Sequence, residues 1–325
     1  MGCEVPAGAG TTAYFYLVFA TPNRCLAVAM VKITERCFEV TGRPAFICDF
    51  SPPRSGQPGL STELSAESLP AADFILAAYN PGRTVRVSSA LLAAYLRREL
   101  GRETAFALAT RDMNRLALQS QLLGAQLLGL ENVVVVQGDP FSERDLERVR
   151  PVADYRPTQL IAAIASMNRG RDFRDRQLPT PTDFCIGATA DLGRGLRREA
   201  RLAARKVASG AQFLITQPSF DPTAATRFGE AYAEAAGAGL SIPVFYGLQL
   251  LERDGIAFGE VPAADRQALE AGRPGVELAV ELYGRFREVG IGNIYLLPPI
   301  RRGGSRNYAA AQEFLEAVRG EPLQL

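Results

Sequence analysis

Several short apolar stretches of this 325-residue chain end in polar side chains that a plain turn would not need. Asp49 closes Phe46-Ile47-Cys48 and stands before Ser51 and two prolines. Arg111-Asp112 follows Thr110, Gln137-Gly138-Asp139-Pro140 follows four consecutive valines, Thr216-Gln217 follows Phe213-Leu214-Ile215, and Gln249 follows Tyr246-Gly247-Leu248. A carboxylate inside an apolar run costs several kcal/mol unless it has partners, so Asp49 reads as functional. An amide such as Gln217 reads the donor and acceptor pattern of a flat heterocycle. The chain has no histidine, which excludes a Ser-His-Asp triad, a Cys-His pair and a histidine metal site. Acid-base work falls to carboxylates, tyrosines or lysine. Lys32 and Lys206 are the two lysines in a chain that otherwise uses arginine, so Lys206 points to a specific contact, such as a phosphate. Plainer roles stay open: Asp112 as a helix cap, Gly138-Asp139-Pro140 as a turn, and Lys206 as compensation of a helix dipole.

These residues need a scaffold that brings the ends of separate strands together. Short β-branched and apolar runs at 45–50, 73–78, 104–109, 132–136, 183–188, 212–216, 242–247 and 293–297 predict eight strands. Helical spacing lies between them, most clearly at 114–129, 194–209 and 274–289. In the first of these, Leu116, Leu123 and Leu127 predict the apolar face, with Leu118, Leu122 and Gly129 beside it. Runs such as Val133 to Val136, apolar on every residue, belong to parallel sheets covered on both faces. Eight such units predict an α/β fold, a (β/α)8 TIM barrel over 44–325, with chemistry at the C-terminal strand ends. A Rossmann sheet would place G-x-G-x-x-G after a strand, and the chain has neither that motif nor a P-loop.

Charge and cysteine usage narrow the partners. The formal net charge of +1 and the 47% hydrophobic content give no case for nucleic acid or for an anionic membrane surface. Five cysteines without C-x-x-C spacing argue against a disulfide scaffold or a zinc ribbon, and place the protein in the reducing cytoplasm. Residues 1–43 read as an N-terminal β extension, a hairpin or strand pair, with Met30 as an alternative natural start to Met1. Its apolar pieces are interrupted at Thr21-Pro22-Asn23-Arg24, well short of the ~20 residues that span a bilayer.

The motifs Asp49-Phe50-Ser51-Pro52-Pro53-Arg54, Arg111-Asp112-Met113-Asn114-Arg115, Gln137-Gly138-Asp139-Pro140 and Thr216-Gln217-Pro218-Ser219-Phe220-Asp221, in this order, resemble the methylenetetrahydrofolate reductase family, particularly its acetogen-type branch. The resemblance covers roughly residues 40–300. It implies a cytoplasmic flavoprotein of one-carbon metabolism, feeding methionine biosynthesis. Such an enzyme reduces 5,10-methylenetetrahydrofolate to 5-methyltetrahydrofolate by ping-pong hydride transfer. FAD is the implied cofactor, with FMN as the alternative, and NAD(P)H or another electron donor reduces it. The implied partners are a folate or related pterin, with homo-oligomerisation or a partner redox subunit both compatible. Carried over by position, Asp49 and Asp139 are catalytic, and Gln217 and Gln249 bind substrate. Arg111, Asp112, Gln137, Gly138, Ala188, Thr189, Glu199 and Lys206 bind the cofactor, and no metal is implied.

Two departures qualify the match. Asp49 stands where the family has glutamate, setting its oxygens about 1.5 Å nearer the backbone, a displacement that can cost about 100-fold in rate. Ala78, Ala107 and Ala190 occupy places where better-known members offer threonine, histidine and tyrosine to the flavin. Alternative readings on the same barrel are a flavin-independent pterin reductase or methyl-transfer subunit, or a non-catalytic barrel subunit of a larger complex.

Overall fold

A computed structural model of the chain describes residues 31–56 and 69–319. Eight parallel strands close into a barrel in sequence order: β1 (Ala45–Phe50), β2 (Phe74–Ala77), β3 (Thr104–Ala109), β4 (Asn132–Val136), β5 (Cys185–Ala190), β6 (Phe213–Pro218), β7 (Val244–Gln249) and β8 (Asn293–Leu297). Among the described residues the α-helices are α1 (Ile33–Arg36), α2 (Phe38–Thr41), α3 (Ser89–Leu100), α4 (Arg115–Leu127), α5 (Glu143–Leu146), α6 (Pro157–Asn168), α7 (Leu196–Ala208), α8 (Thr223–Ala236), α9 (Ala263–Glu270), α10 (Gly275–Glu288) and α11 (Tyr308–Arg319). The (β/α)8 TIM barrel expected from the alternation is the fold observed. No helix among the described residues is long and apolar enough to cross a membrane.

Alternation along each strand divides the core in two. Ile47, Phe74, Val134, Cys185, Phe213, Ile215 and Phe245 fill the barrel interior, while Phe46, Cys48, Val133, Val135 and Leu214 face the helices. Gly187 is required here: a β-carbon on it would lie 2.3 Å from the Phe213 ring, so the missing side chain makes room for that phenylalanine. Toward the C-terminal ends the interior positions shrink to Ala107, Ala109, Thr189 and Gly247, which leaves a floor of small groups under the mouth.

The N-terminal face is plugged by α1 and α2. Ile33 N–H donates to the Asn132 amide oxygen at 2.9 Å, and Phe38 N–H donates to that of Asn293 at 2.5 Å. Ile33 is fully buried against the interior cluster. Within the expected N-terminal extension, Ile33–Arg36 and Phe38–Thr41 are helical. The rest of the expected extension, with the choice between Met1 and Met30, lies outside the described residues.

Two further expectations shift. Strands β5, β6 and β7 lie one to two residues later than the apolar runs suggest, because hydrophobicity marks burial while strand limits follow pairing with neighbours. On α4 the buried stripe is Leu118, Leu122 and Ala125, whereas Leu116, Leu123 and Leu127 are 62%, 43% and 88% exposed. Both stripes satisfy helical spacing, so periodicity alone does not say which one meets the barrel; Asn114 caps α4 by accepting from Ala117 N–H.

Candidate active site

The C-terminal rim gathers the sequence-predicted residues, beginning with Asp49. Its strand parity matches Ala45 and Ile47, so it points inward, and it is only 5% exposed. Tyr295 of β8 donates its hydroxyl to one Asp49 oxygen at 2.8 Å, and Arg306 presents Nε to the other at 3.4 Å. The Arg306 and Asp49 side chains are 8% and 7% exposed, so the pair is buried and only mildly screened. Behind it, Tyr308 stacks on Phe50 and accepts from Ser51 N–H at 2.9 Å, fixing the end of β1. The Ser51 hydroxyl beside this cluster is buried without a partner among the described residues.

A second cluster forms where the loops after β3 and β4 meet. Arg111 binds both oxygens of Asp112, through Nε at 2.6 Å and Nη2 at 2.8 Å, and donates through Nη1 to the Asp139 carbonyl at 2.5 Å. Its guanidinium lies 4.0 Å from the centre of the Phe141 ring, a cation–π contact. Gly138 adopts φ +85°, and a β-carbon there would meet Arg111 at 3.2 Å, so only glycine lets this turn close on the arginine. Asp112 thus chelates Arg111 and does not cap α4. Asp139 and Gln137 remain exposed on the same rim.

Gln217 continues the inward parity of Phe213 and Ile215 and is exposed at the mouth, where a pterin edge could meet it. Gln249 is corrected: its amide donates to the Ile256 carbonyl at 2.8 Å and accepts from Phe258 N–H at 2.7 Å. With the residue 2% exposed, both ends of the amide are spent on the loop after β7, and it has no free edge for substrate. Ala188 is also corrected, since it faces the helical layer, while Thr189 keeps the interior side.

Glu199 and Lys206 are placed beneath the rim. Lys206 is 5% exposed and donates to the Thr189 carbonyl at 2.5 Å; Glu199 accepts from Asp191 N–H at 3.3 Å. Desolvation, partly offset by Glu199, holds the Lys206 amine below its ordinary range. Both were expected to touch a cofactor, and both instead tie α7 to the end of β5. Lys206→Met should therefore cost about 1–3 kcal/mol of stability, because the buried Thr189 carbonyl loses its donor. Urea unfolding of the variant checks this; unchanged stability would show that Lys206 is free for a ligand.

The residues that the sequence reading passed over are Tyr295, Arg306 and Tyr79. Tyr295 interrupts an apolar strand as Asp49 does, and the same burial argument applies to it. Burial, with the carboxylates nearby, pushes the hydroxyls of Tyr79, Tyr295 and Tyr308 well above the ordinary tyrosine range. Because their folded-state values are raised, the stabilisation they bring is complete below about pH 10 and is lost as pH rises beyond it. Resistance to urea should fall above about pH 10, and Tyr295→Phe should make that fall shallower. An identical slope in the variant would refute the coupling.

The comparisons with known proteins agree with this geometry. A family model for methylenetetrahydrofolate reductase matches residues 33–253. Among solved structures, the chain is similar to an uncharacterised Clostridium thermocellum protein that binds two copies of 5-methyl-5,6,7,8-tetrahydrofolic acid. The identity is 12% and the TM-score 0.60, over 85% of this chain and 96% of that one. It is also similar, at 14% identity and a TM-score of 0.48 over 78% of this chain and 93% of that one, to an F420-dependent secondary alcohol dehydrogenase in complex with an F420-acetone adduct. These identities speak to the fold alone. The family match spans more than half of the chain and contains Asp49, the Arg111-Asp112 pair, Asp139 and Gln217, and the chain belongs to the methylenetetrahydrofolate reductase family.

Proposed function

We propose that the chain is a cytoplasmic enzyme that reduces 5,10-methylenetetrahydrofolate to 5-methyltetrahydrofolate, with a flavin passing hydride from NAD(P)H or another donor. The observation that carries this reading is the buried, inward carboxylate of Asp49, clamped by Tyr295 and Arg306 at the strand ends of a barrel of this family.

Asp49 acts in the opening of the imidazolidine ring as an ionised carboxylate, while the departing nitrogen takes its proton from solvent at the open rim. The Asp49 anion, held by Tyr295 and Arg306, faces the iminium cation of the substrate, the charge that develops in the transition state. Gln217 orients the pterin through its amide. Asp139, across the rim, is held in place by the Arg111 contact to its carbonyl.

The fit to a flavin is divided. The small groups of Ala107, Ala109, Thr189 and Gly247 and the bare turn at Gly138 suit a flat ring system, and Thr189, Gln137 and Gly138 are the residues that would hold it. When bound, the flavin supplies a two-electron hydride carrier. The expected phosphate anchor does not fit, since Lys206 is engaged inside the protein, and so is Glu199, the other expected flavin contact on α7. That observation favours, as a second reading, a pterin enzyme on the same barrel that works without tightly held flavin.

The absorbance spectrum of the protein as isolated, with calorimetric titration of 5-methyltetrahydrofolate, separates the readings. A flavin band with folate binding supports the first, and colourless protein that binds folate supports the second. Protein with neither property would overturn both and leave a non-catalytic barrel.

A further inference from the structure

The outer surface carries a groove between α7 and α8, with a volume of about 840 Å³. Its α7 wall presents Arg198, Arg201 and Arg205, at i, i+3 and i+7, a span of roughly 10 Å along the helix. All three are exposed, and none has a carboxylate within ion-pairing distance among the described residues. Their neighbour Arg197, by contrast, meets Glu234 at 4.0 Å. The opposite wall is small and uncharged, built from Ala235, Ala236 and Gly239. Tyr232 lines the groove as well. It is 5% exposed, and its hydroxyl, which no protein group among the described residues engages, still meets solvent.

Three cations along one wall, a small apolar wall opposite, and a phenol hydroxyl open to solvent make an asymmetric site. One phosphate would satisfy one or two guanidiniums; three spread over roughly 10 Å call for an elongated anion carrying several charges. The alanine wall accepts an uncharged, flat body, and Tyr232 offers that body one specific hydrogen bond. The volume lies within the range of small-molecule sites, about 300–1,000 Å³.

We infer that this groove binds a nucleoside polyphosphate, its phosphates along Arg198, Arg201 and Arg205 and its nucleoside over the alanines against Tyr232. The inference is independent of the folate chemistry, because none of these residues belongs to the rim described above.

The test uses the full chain, saturated with whatever cofactor it retains. ATP, inorganic tripolyphosphate and adenosine are titrated separately by calorimetry at low and at moderate salt. ATP should bind saturably and more tightly than either fragment, with affinity falling as salt rises. Arg201→Gln should weaken ATP and tripolyphosphate about tenfold each, as expected for one charge-assisted contact. Tyr232→Phe should weaken ATP several-fold and leave tripolyphosphate unchanged. Absence of saturable ATP binding, or ATP affinity untouched by Arg201→Gln, overturns the inference. So does tripolyphosphate binding as tightly as ATP, which would reduce the site to a nonspecific anion patch. Circular dichroism confirms that both variants are folded.

Discussion

Asp49→Asn is expected to slow reduction of the methylene group by about 10²–10³-fold, the range for losing one preorganised contact to developing charge, while reduction of a bound flavin by its donor is nearly unchanged. Asparagine is the informative replacement because it keeps the volume and can still accept the Tyr295 hydroxyl. It removes only the charge. Stopped-flow measurement of the two half-reactions checks the split. Equal loss in both would mean that Asp49 supports the site as a whole and does not act on the iminium. Asp49→Ala would be less clear, since it leaves Tyr295 and Arg306 buried without their shared acceptor.

The largest stability effect is expected at Arg306. Removing it as Arg306→Ala leaves the Asp49 carboxylate buried and facing no cation, which costs about 3–5 kcal/mol. For a domain of this size that corresponds to a fall in Tm of roughly 10 °C. Replacing both partners by neutral groups of similar size should restore much of the loss, because the penalty lies in the unpaired charge and not in the missing contact. Urea unfolding of Arg306→Ala and of the double variant Asp49→Asn/Arg306→Met checks this. A double variant no more stable than Arg306→Ala would contradict the buried-pair account.

Most of the fold was legible because apolar alternation and helical spacing report burial, and burial is what a closed barrel organises. The runs ending at Phe50, Ala109, Val136 and Leu297 marked the strand ends where pairing places them. The face of α4 was read too broadly for a physical reason: two leucine-rich stripes share one helix, and helical spacing does not say which of them packs on the barrel. The site was legible where polarity conflicts with burial, as at Asp49. It was not legible where the same polar residue could be spent inside the protein. Gln249, Glu199 and Lys206 look like ligand contacts from their positions, yet each is satisfied by a backbone group nearby. Arg306 lay beyond the reading because it reaches Asp49 across 257 residues of sequence, and no local pattern encodes that meeting.

The most direct test of the central claim, that one rim joins Asp49 to Gln217 around a folate, is calorimetric titration of 5-methyltetrahydrofolate into the wild type and into Gln217→Ala. One saturable site, weakened about tenfold by the substitution as for a lost specific hydrogen bond in a binding site, is the predicted result. Binding of equal affinity in both proteins would locate the ligand away from this rim and contradict the claim.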